Sequence, residues 1–339
     1  MLKPFNIYRS LKKSLVFLAL FMPFVFARAE ASLTPYAEGV STVVTPQNPG
    51  PNTLITIQLQ SSLVNLEAST VIWSVNGKVI QSGKDSRSFS LRLGGIGSKS
   101  VVDIYIKSDN FGTISKTLTF APTSVELLYQ ASSYTPPFYK GKALIPSEGV
   151  VTLYALPNFK TSSGSIPQTA SLVFTWKKDG VVDGNNSGLG KNSYRYVNGR
   201  LPEDGPSIEV SVVDPKSNLQ GYAAFAASTV NPEVVFYENN PILGVNLNQS
   251  IQKDYALTKQ ELSLIAYPYY FGTKNRNALG LSYTWNINDN PVANSASDKG
   301  TLTVRSPGGK GVANISLGVE NKLRLLQTAS SILSITYGQ

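Results

Sequence analysis

The chain has 339 residues, enough for two or three ordinary domains, and its 30 Lys and Arg against 21 Asp and Glu give a formal net charge of +9. It contains neither Cys nor His. Disulfide bonds, Ser-His-Asp and Cys-His catalysis, and zinc sites built from thiolate or imidazole groups are therefore excluded.

The first 29 residues have the pattern of a secretory signal peptide. Four basic residues lie within the first 13, an apolar run occupies positions 15–26, and Ala27-Arg28-Ala29 ends the segment. The alternative is a retained N-terminal anchor, but about 20 apolar residues normally span a bilayer and Pro23 interrupts this run. We expect an exported protein, whether extracellular, at the cell surface or periplasmic, with no transmembrane segment after cleavage.

Most of the positive charge belongs to this removable segment. Removing residues 1–29 takes away five of the 30 basic residues and leaves 25 against 21 acidic residues, a net charge of +4. A surplus this small is not typical of proteins that bind nucleic acids, so no nucleic-acid partner is predicted. Both Met residues also lie in the segment, so the mature chain offers no thioether ligand for copper or haem.

Three Trp residues mark three repeats of one local pattern. Each Trp lies in a run of alternating apolar residues that leads into a pair of turn-forming residues, which predicts a strand entering a hairpin. The Trp residues are 103 and 109 residues apart. They and their turn pairs are Trp73 with Asn76-Gly77, Trp176 with Asp179-Gly180, and Trp285 with Asp289-Asn290.

A second matched strand follows each Trp, and Pro residues precede the first strands of the later repeats. The offsets from Trp to the central aliphatic residue of that second strand, Ile104, Val210 or Ile315, are 31, 34 and 30 residues. Pro122 and Pro232 mark the two joins. Short strands separated by Gly and Pro predict an all-β protein of tandem sandwiches. The predicted division is a signal peptide at 1–29 and β-sandwich domains at 30–121, 122–231 and 232–339.

The repeats resemble the tandem immunoglobulin-like and PKD-like domains of bacterial surface proteins over nearly all of residues 32–339. More narrowly, the chain is similar to exported multi-sandwich proteins, a resemblance that implies no activity. In immunoglobulin-like sandwiches a Trp packs between the two sheets. The resemblance therefore implies that Trp73, Trp176 and Trp285 are structural core residues and not ligand contacts.

Carboxylates are the only acid–base groups left for catalysis, and most of them lie singly in predicted loops. Asp109, Asp179, Asp214 and Asp298 are examples. Glycoside hydrolysis would need two carboxylates facing each other across a cleft. We expect no enzyme activity, no cofactor and no metal site. Oxygen-rich runs at 179–186 and 286–291 leave calcium binding open as an alternative, although ordinary turn chemistry accounts for both.

Two aromatic segments are the best candidates for contact with something outside the chain. They follow early strands of the second and third repeats and contain Pro. Such rings can stack on sugars or fill a protein interface. The interpretation we favour is that they pack against the neighbouring domain and fix the angle between domains. The candidate residues are Tyr134, Phe138, Tyr139, Tyr269, Tyr270 and Phe271.

The sequence is thus typical of a non-catalytic exported protein of the cell surface or envelope that acts as a spacer, scaffold or adhesion module. The alternative is a carbohydrate- or cell-wall-binding module that uses the aromatic loop residues. The expected partner is an envelope or surface protein, or a cell-wall glycan.

Overall fold

The computed structural model describes residues 39–201, 205–293 and 298–338. Strands joined by turns and loops make up these ranges, with a 3-10 helix at Thr169–Ser171 and no α-helix among the residues described. The all-β prediction is confirmed. The predicted signal peptide at 1–29 lies outside the described residues. In the ranges given above, no helix has the length and apolar character needed to cross a bilayer.

The first sandwich, called unit 1, contains the described strands up to Phe120. Its strands are β1 (Ser41–Thr45), β2 (Leu54–Gln60), β3 (Thr70–Val75), β4 (Lys78–Lys84), β5 (Ser88–Arg92), β6 (Ser100–Ser108) and β7 (Gly112–Phe120). They form two antiparallel sheets with the orders β1-β2-β5 and β4-β3-β6-β7. Alternate aliphatic residues of β2, β3 and β6 point between the sheets and surround Trp73.

Unit 2 contains the strands from Ser124 to Val230. Its strands are β8 (Ser124–Ser132), β9 (Ile145–Pro146), β10 (Val150–Asn158), β11 (Val173–Lys178), β12 (Val181–Val182), β13 (Gly188–Leu189), β14 (Ser193–Val197), β15 (Ser207–Val213), β16 (Gln220–Ala226) and β17 (Thr229–Val230). The facing sheets have the orders β14-β10-β8 and β12-β11-β15-β16, and β13 also pairs with β11. A short parallel pair, β9 with β17, joins the middle of the unit to its end.

Unit 3 contains the strands from Glu233 to Tyr337. Its strands are β18 (Glu233–Asn240), β19 (Gly244–Val245), β20 (Asp254–Leu257), β21 (Glu261–Tyr269), β22 (Leu281–Ile287), β23 (Asn290–Val292), β24 (Thr301–Arg305), β25 (Gly311–Asn321) and β26 (Thr328–Tyr337). The two sheets have the orders β19-β18-β21-β24 and β20-β26-β25-β22-β23. Strand β20 pairs parallel to β26, so the last strand of unit 3 is not an edge strand.

Each unit has its own core, and each core contains one Trp that hydrogen-bonds in the same way. The indole Nε1–H of Trp73, Trp176 and Trp285 donates to a backbone carbonyl at 2.9, 2.8 and 2.9 Å. A buried indole needs such an acceptor because its N–H leaves water on folding. The three rings are buried at 0, 0 and 1 % exposure. The acceptors are the carbonyls of Ser86, Lys191 and Lys299.

In each unit one aromatic ring stacks on the Trp. In unit 3 this ring comes from a different position in the unit than in units 1 and 2. Phe89 stacks on Trp73 with a centroid distance of 5.3 Å, and Tyr194 stacks on Trp176 at 5.3 Å. Both rings lie three residues beyond the carbonyl that accepts the indole hydrogen bond. In unit 3 that position is Leu302, and Phe236 on β18 stacks on Trp285 instead, at 5.6 Å.

The three predicted hairpins are present, and one turn is displaced. The first turn residue has positive φ in each: Asn76 at 49°, Asp179 at 51° and Asn288 at 48°. A two-residue type I′ turn needs positive φ at both central residues, which Gly77, Gly180 and Asp289 complete. The third turn is therefore Asn288-Asp289, one residue earlier than the predicted Asp289-Asn290.

The Trp strand pairs with the second matched strand in each unit. Trp73 lies opposite Ile104, Trp176 opposite Val210 and Trp285 opposite Leu317.

Candidate interaction surfaces at the domain junctions

The two aromatic segments lie against each other where unit 2 meets unit 3, a contact we call the second junction. Two backbone hydrogen bonds join them. The N–H of Tyr134 donates to the carbonyl of Phe271 at 2.7 Å, and the N–H of Tyr270 donates to the carbonyl of Tyr134 at 2.8 Å. Tyr270 has a φ of 62°, a conformation that a bulky residue adopts only when its surroundings impose it.

The ring contacts across this junction are edge-to-face. Phe138 of unit 2 meets Tyr237 and Tyr267 of unit 3, with centroid distances of 5.4 and 5.2 Å. Tyr139 meets Tyr269 at 5.7 Å, and its hydroxyl accepts a 3.0 Å hydrogen bond from the hydroxyl of Tyr270. Each such pair contributes roughly 0.5–1.5 kcal/mol beyond the burial of its surface. The loop of unit 2 thus covers the outer face of the sheet that contains β18 and β21.

Strand β21 is buried on both faces for this reason. Leu264 and Ala266 point into the core of unit 3, whereas Ile265 and Tyr269 point to the junction. The sequence from Leu264 to Phe271 is a nearly continuous apolar run. Such a run is the signal of a strand with two covered faces, and it points to the junction more directly than the aromatic residues alone.

Tyr hydroxyls inside the junction remain protonated over the physiological range. Burial raises the pKa of Tyr134 to about 12, and the nearby Tyr267 adds to the effect. Burial also raises the pKa of Tyr269, together with the 3.0 Å hydrogen bond between its hydroxyl and that of Tyr237. These hydroxyls are therefore neutral hydrogen-bonding groups at neutral pH and not general bases.

A buried polar side chain makes a second connection between units 2 and 3. The amide nitrogen of Gln327 donates to the carbonyl of Ser147 in unit 2 at 2.6 Å. Its amide oxygen accepts from the backbone N–H of Gly272 at 2.8 Å and from Nδ2 of Asn321 at 2.7 Å. Gln327 is completely buried, and no pattern in the sequence indicated it.

The carboxylate of Glu148 makes a third connection at the edge of the same junction. One oxygen accepts from the backbone N–H of Leu325 in unit 3 at 2.9 Å, and the other accepts from Nε of Arg200 at 3.2 Å. The side chain of Glu148 is mostly covered, whereas that of Arg200 is mostly exposed.

All six aromatic candidates lie in or beside the second junction. Tyr134, Tyr269 and Phe271 have exposures of 8, 7 and 0 %, and the other three are half-buried. Phe138, Tyr139, Tyr269 and Tyr270 lie between the two units, whereas the ring of Phe271 belongs to the core of unit 3. An outside ligand would reach the buried ring of Tyr269 only after the two units separated.

The two oxygen-rich runs considered for calcium are occupied by turn hydrogen bonds. Oδ1 of Asp179 accepts from the N–H of Ser207 at 2.9 Å, and Oδ1 of Asn288 accepts from the N–H of Asn314 at 2.9 Å. The carboxylate of Asp183 accepts hydrogen bonds from the backbone N–H groups of Asn185 and Asn186 and from the hydroxyl of Tyr194. Among the described residues, no three or more Asp or Glu side chains cluster as metal ligands would.

The contact between units 1 and 2, the first junction, is open and polar. A groove of about 720 Å³ lies there. The aliphatic part of Lys160 lies against Gly97, and within the described ranges no hydrogen bond, ion pair or ring contact joins the two units. The lining side chains are largely amide, hydroxyl or ammonium groups without a carboxylate, among them Gln47, Asn48, Lys99, Lys160, Gln220 and Tyr222.

Comparison with known proteins reveals similarity only at the level of tandem β-sandwich arrays. No family model and no curated protein matches the sequence. The three N-terminal domains of the Highly Immunogenic Outer Capsid protein of bacteriophage RB49 are 11 % identical, covering 88 % of this chain and 98 % of that one, with a TM-score of 0.25. The central fibronectin-III array of RIM-binding protein is 11 % identical, covering 89 % and 97 %, with a TM-score of 0.28.

A glycan complex is also among the similar structures. The SGBP-B protein of the Bacteroides ovatus mixed-linkage glucan utilization locus, solved with a mixed-linkage heptasaccharide, is 12 % identical, covering 90 % of this chain and 71 % of that one, with a TM-score of 0.22. Because identities and TM-scores are this low, nothing about a ligand or partner follows for this chain.

Proposed function

We propose that this protein is a non-catalytic exported protein of the cell surface or envelope that acts as a spacer or scaffold. The observation that carries the proposal is the second junction. Rings, two backbone hydrogen bonds and the buried Gln327 hold units 2 and 3 together. Joined in this way, units 2 and 3 give a spacer or scaffold one rigid segment of fixed length.

The use of the acidic side chains supports a role without catalysis. Asp179 accepts from the backbone N–H of Ser207 on β15, and Asp214 accepts from the N–H of Lys216 and the hydroxyl of Ser217. Asp298 pairs with the guanidinium of Arg276. Three of the four loop acids singled out in the sequence are thus engaged in local structure.

Mass spectrometry of the protein purified from its own cells tests export. The expected N-terminus is Glu30, and the expected location is outside the cytoplasm. A cytoplasmic protein that retains Met1 would contradict the proposal. So would an enzymatic turnover that a single carboxylate substitution abolishes.

A second candidate function is carbohydrate binding, and the groove at the first junction favours it. The groove offers amide and ammonium side chains and the partly exposed ring of Tyr222. Sugars are bound by polar groups of this kind together with an aromatic face. In a screen of glycans and cell-wall fragments, binding lost in Tyr222→Ala but kept in Tyr269→Ala would support the groove. The reverse result would assign recognition to the rings of the second junction.

A further inference from the structure

Two loops of unit 3 hold leucine side chains out into solvent beside the second junction. Leu279, Leu323 and Leu325 have exposures of 99, 77 and 73 %, and Leu326 is also exposed. Isolated exposed apolar residues are ordinary on a protein surface, but several in adjacent loops mark an interaction site. We call residues 321–327 together with Leu279 the leucine loop.

The parts of the leucine loop are adjacent in space. The backbone N–H of Lys322 donates to the carbonyl of Gly280 at 2.8 Å, which places Leu279 next to the 321–327 turn. A Cβ atom on Gly280 would lie 3.0 Å from Cδ1 of Leu323. Leu325 is attached to unit 2 through its N–H and Glu148.

Hydrogen bonds hold this loop in its shape, so the leucines do not fold back onto the protein. Oδ1 of Asn321 accepts from the N–H of Leu323 at 3.1 Å, and the N–H of Asn321 donates to the carbonyl of Gln327 at 2.9 Å. The side chains of Asn321 and Gln327 are buried and bonded to each other at 2.7 Å. The leucines between these two anchors are thus presented outward by a well-ordered turn.

Basic residues alternate with the leucines. Lys322 and Arg324 lie within the loop, and Arg200 of unit 2 shares the carboxylate of Glu148 with Leu325. Two carboxylates oppose these three cations, Glu148 and the Glu320 that pairs with Lys322. The local charge is therefore +1.

We propose that the leucine loop docks on an anionic phospholipid surface. The leucines enter the boundary between headgroups and acyl chains, and the Lys and Arg side chains stay at the level of the lipid phosphates. Each basic residue near such a surface contributes about 1 kcal/mol, and the buried apolar area adds to it.

A membrane fits this surface better than a protein partner does. The leucines protrude and are interleaved with charges, and the loop itself contains no aromatic residue. Protein interfaces rely on Trp, Tyr and Arg anchors, and Leu is under-represented at their hot spots. The alternative is that a second copy of this chain or another protein binds the leucine loop, and the experiment distinguishes this from membrane binding.

The chain provides a matched control in the hairpin between β18 and β19. Ile242 and Leu243 are 90 and 86 % exposed at the tip of that hairpin. Residues 239–252 contain no Lys, Arg, Asp or Glu. This tip therefore offers comparable apolar area without the positive charge.

Co-sedimentation of the mature chain, residues 30–339, with vesicles tests the proposal. One vesicle set contains phosphatidylcholine alone, and the other contains equal parts of phosphatidylcholine and phosphatidylglycerol. We expect salt-sensitive binding to the anionic vesicles only. Lys322→Gln/Arg324→Gln should reduce the partition coefficient about tenfold or more. Leu323→Ser/Leu325→Ser should reduce it at least as much, and Ile242→Ser/Leu243→Ser should leave it unchanged.

Several outcomes would overturn the proposal. These are no binding to anionic vesicles, equal binding to both vesicle sets, or an equal loss in the Ile242→Ser/Leu243→Ser control. Sedimentation velocity without lipid gives a further outcome: a dimer that Leu323→Ser/Leu325→Ser dissociates would make a second copy the occupant. The substituted side chains are exposed except that of Arg324, which is half-buried, and an unchanged melting temperature verifies that each variant is folded.

Discussion

The two junctions of this chain begin alike in sequence and are built very differently. At each junction a Pro leads directly into the first strand of the later unit: Pro122 at the first junction and Pro232 at the second. At the second junction, rings, backbone hydrogen bonds and the buried Gln327 connect the units. At the first junction, the units border an open polar groove. We infer that units 2 and 3 move as one body and that unit 1 moves relative to them.

One part of the difference comes from the loop after the first strand of each unit. In unit 2 this loop carries Phe138 and Tyr139, which meet the outer face of β21. In unit 1 the corresponding loop, residues 46–53, contains no aromatic residue. The aromatic loop is thus one of three connections at the second junction, beside those of Gln327 and Glu148.

The largest expected effect comes from the core Trp residues, and it distinguishes coupled from uncoupled units. Trp73→Ala and Trp176→Ala should each cost roughly 3–5 kcal/mol in their own unit through lost burial and the cavity left behind. Trp73→Ala should leave the unfolding of units 2 and 3 unchanged, whereas Trp176→Ala should lower the midpoint of unit 3 as well. Calorimetry or hydrogen exchange resolved by unit measures this. Equal, purely local effects would contradict the coupling.

Phe138→Ala should weaken the second junction by about 2–3 kcal/mol, because the ring loses two edge-to-face contacts and leaves a gap beside β21. The expected readout is separate unfolding transitions for units 2 and 3. Tyr222→Ala, which removes a partly exposed ring at the first junction, is the control and should change neither transition by more than a few tenths of a kcal/mol. If Tyr222→Ala destabilised the protein as much as Phe138→Ala does, the proposed difference between the two junctions would be contradicted.

Gln327→Ala should cost about 2 kcal/mol, because buried groups that the side chain pairs would be left unsatisfied. These are the carbonyl of Ser147, the N–H of Gly272 and the amide of Asn321. Gln220→Ala, at the exposed edge of the first junction, should be nearly neutral. Chemical denaturation of both variants measures the contrast, and equal losses would argue against a special role for the buried amide.

Alkaline pH should loosen the second junction without any effect near neutrality. The folded pKa of Tyr134 is raised to about 12 from 10.0. The neutral Tyr134 hydroxyl therefore contributes its full share to the stability of the closed junction below pH 10. This contribution is lost as the pH rises toward 12, because the ionised hydroxyl favours the open form. Absorbance of ionised Tyr, followed together with hydrogen exchange at β21, should reveal opening in this range. Loss of protection in unit 1 before β21 would contradict the expectation.

Much of the fold was predictable because it rests on local patterns. Alternating residues around Trp73, Trp176 and Trp285 predicted the strands, and Asx-Gly pairs predicted two of the three turns correctly. The third turn was displaced because Asn and Asp at 288–290 all tolerate positive φ, so composition did not select the pair.

The junction was predictable only in part. Aromatic residues at 134–139 and 267–271 indicated a contact, and packing between domains was the favoured interpretation. The sequence did not reveal which strands would meet, because that depends on the relative placement of two separate cores. Gln327 and Glu148 were missed for a different reason: a single buried polar residue has no periodicity, and only its partners in the folded chain identify it.

Distances measured by electron paramagnetic resonance between pairs of spin labels test the central claim most directly. The chain has no Cys, so labels attach only where cysteines are introduced. Ile80→Cys with Val181→Cys reports on the first junction, and Val181→Cys with Leu243→Cys on the second, all at exposed positions. We predict a narrow distance distribution across the second junction and a clearly broader one across the first. Distributions of equal width, or a narrower one across the first junction, would contradict this account.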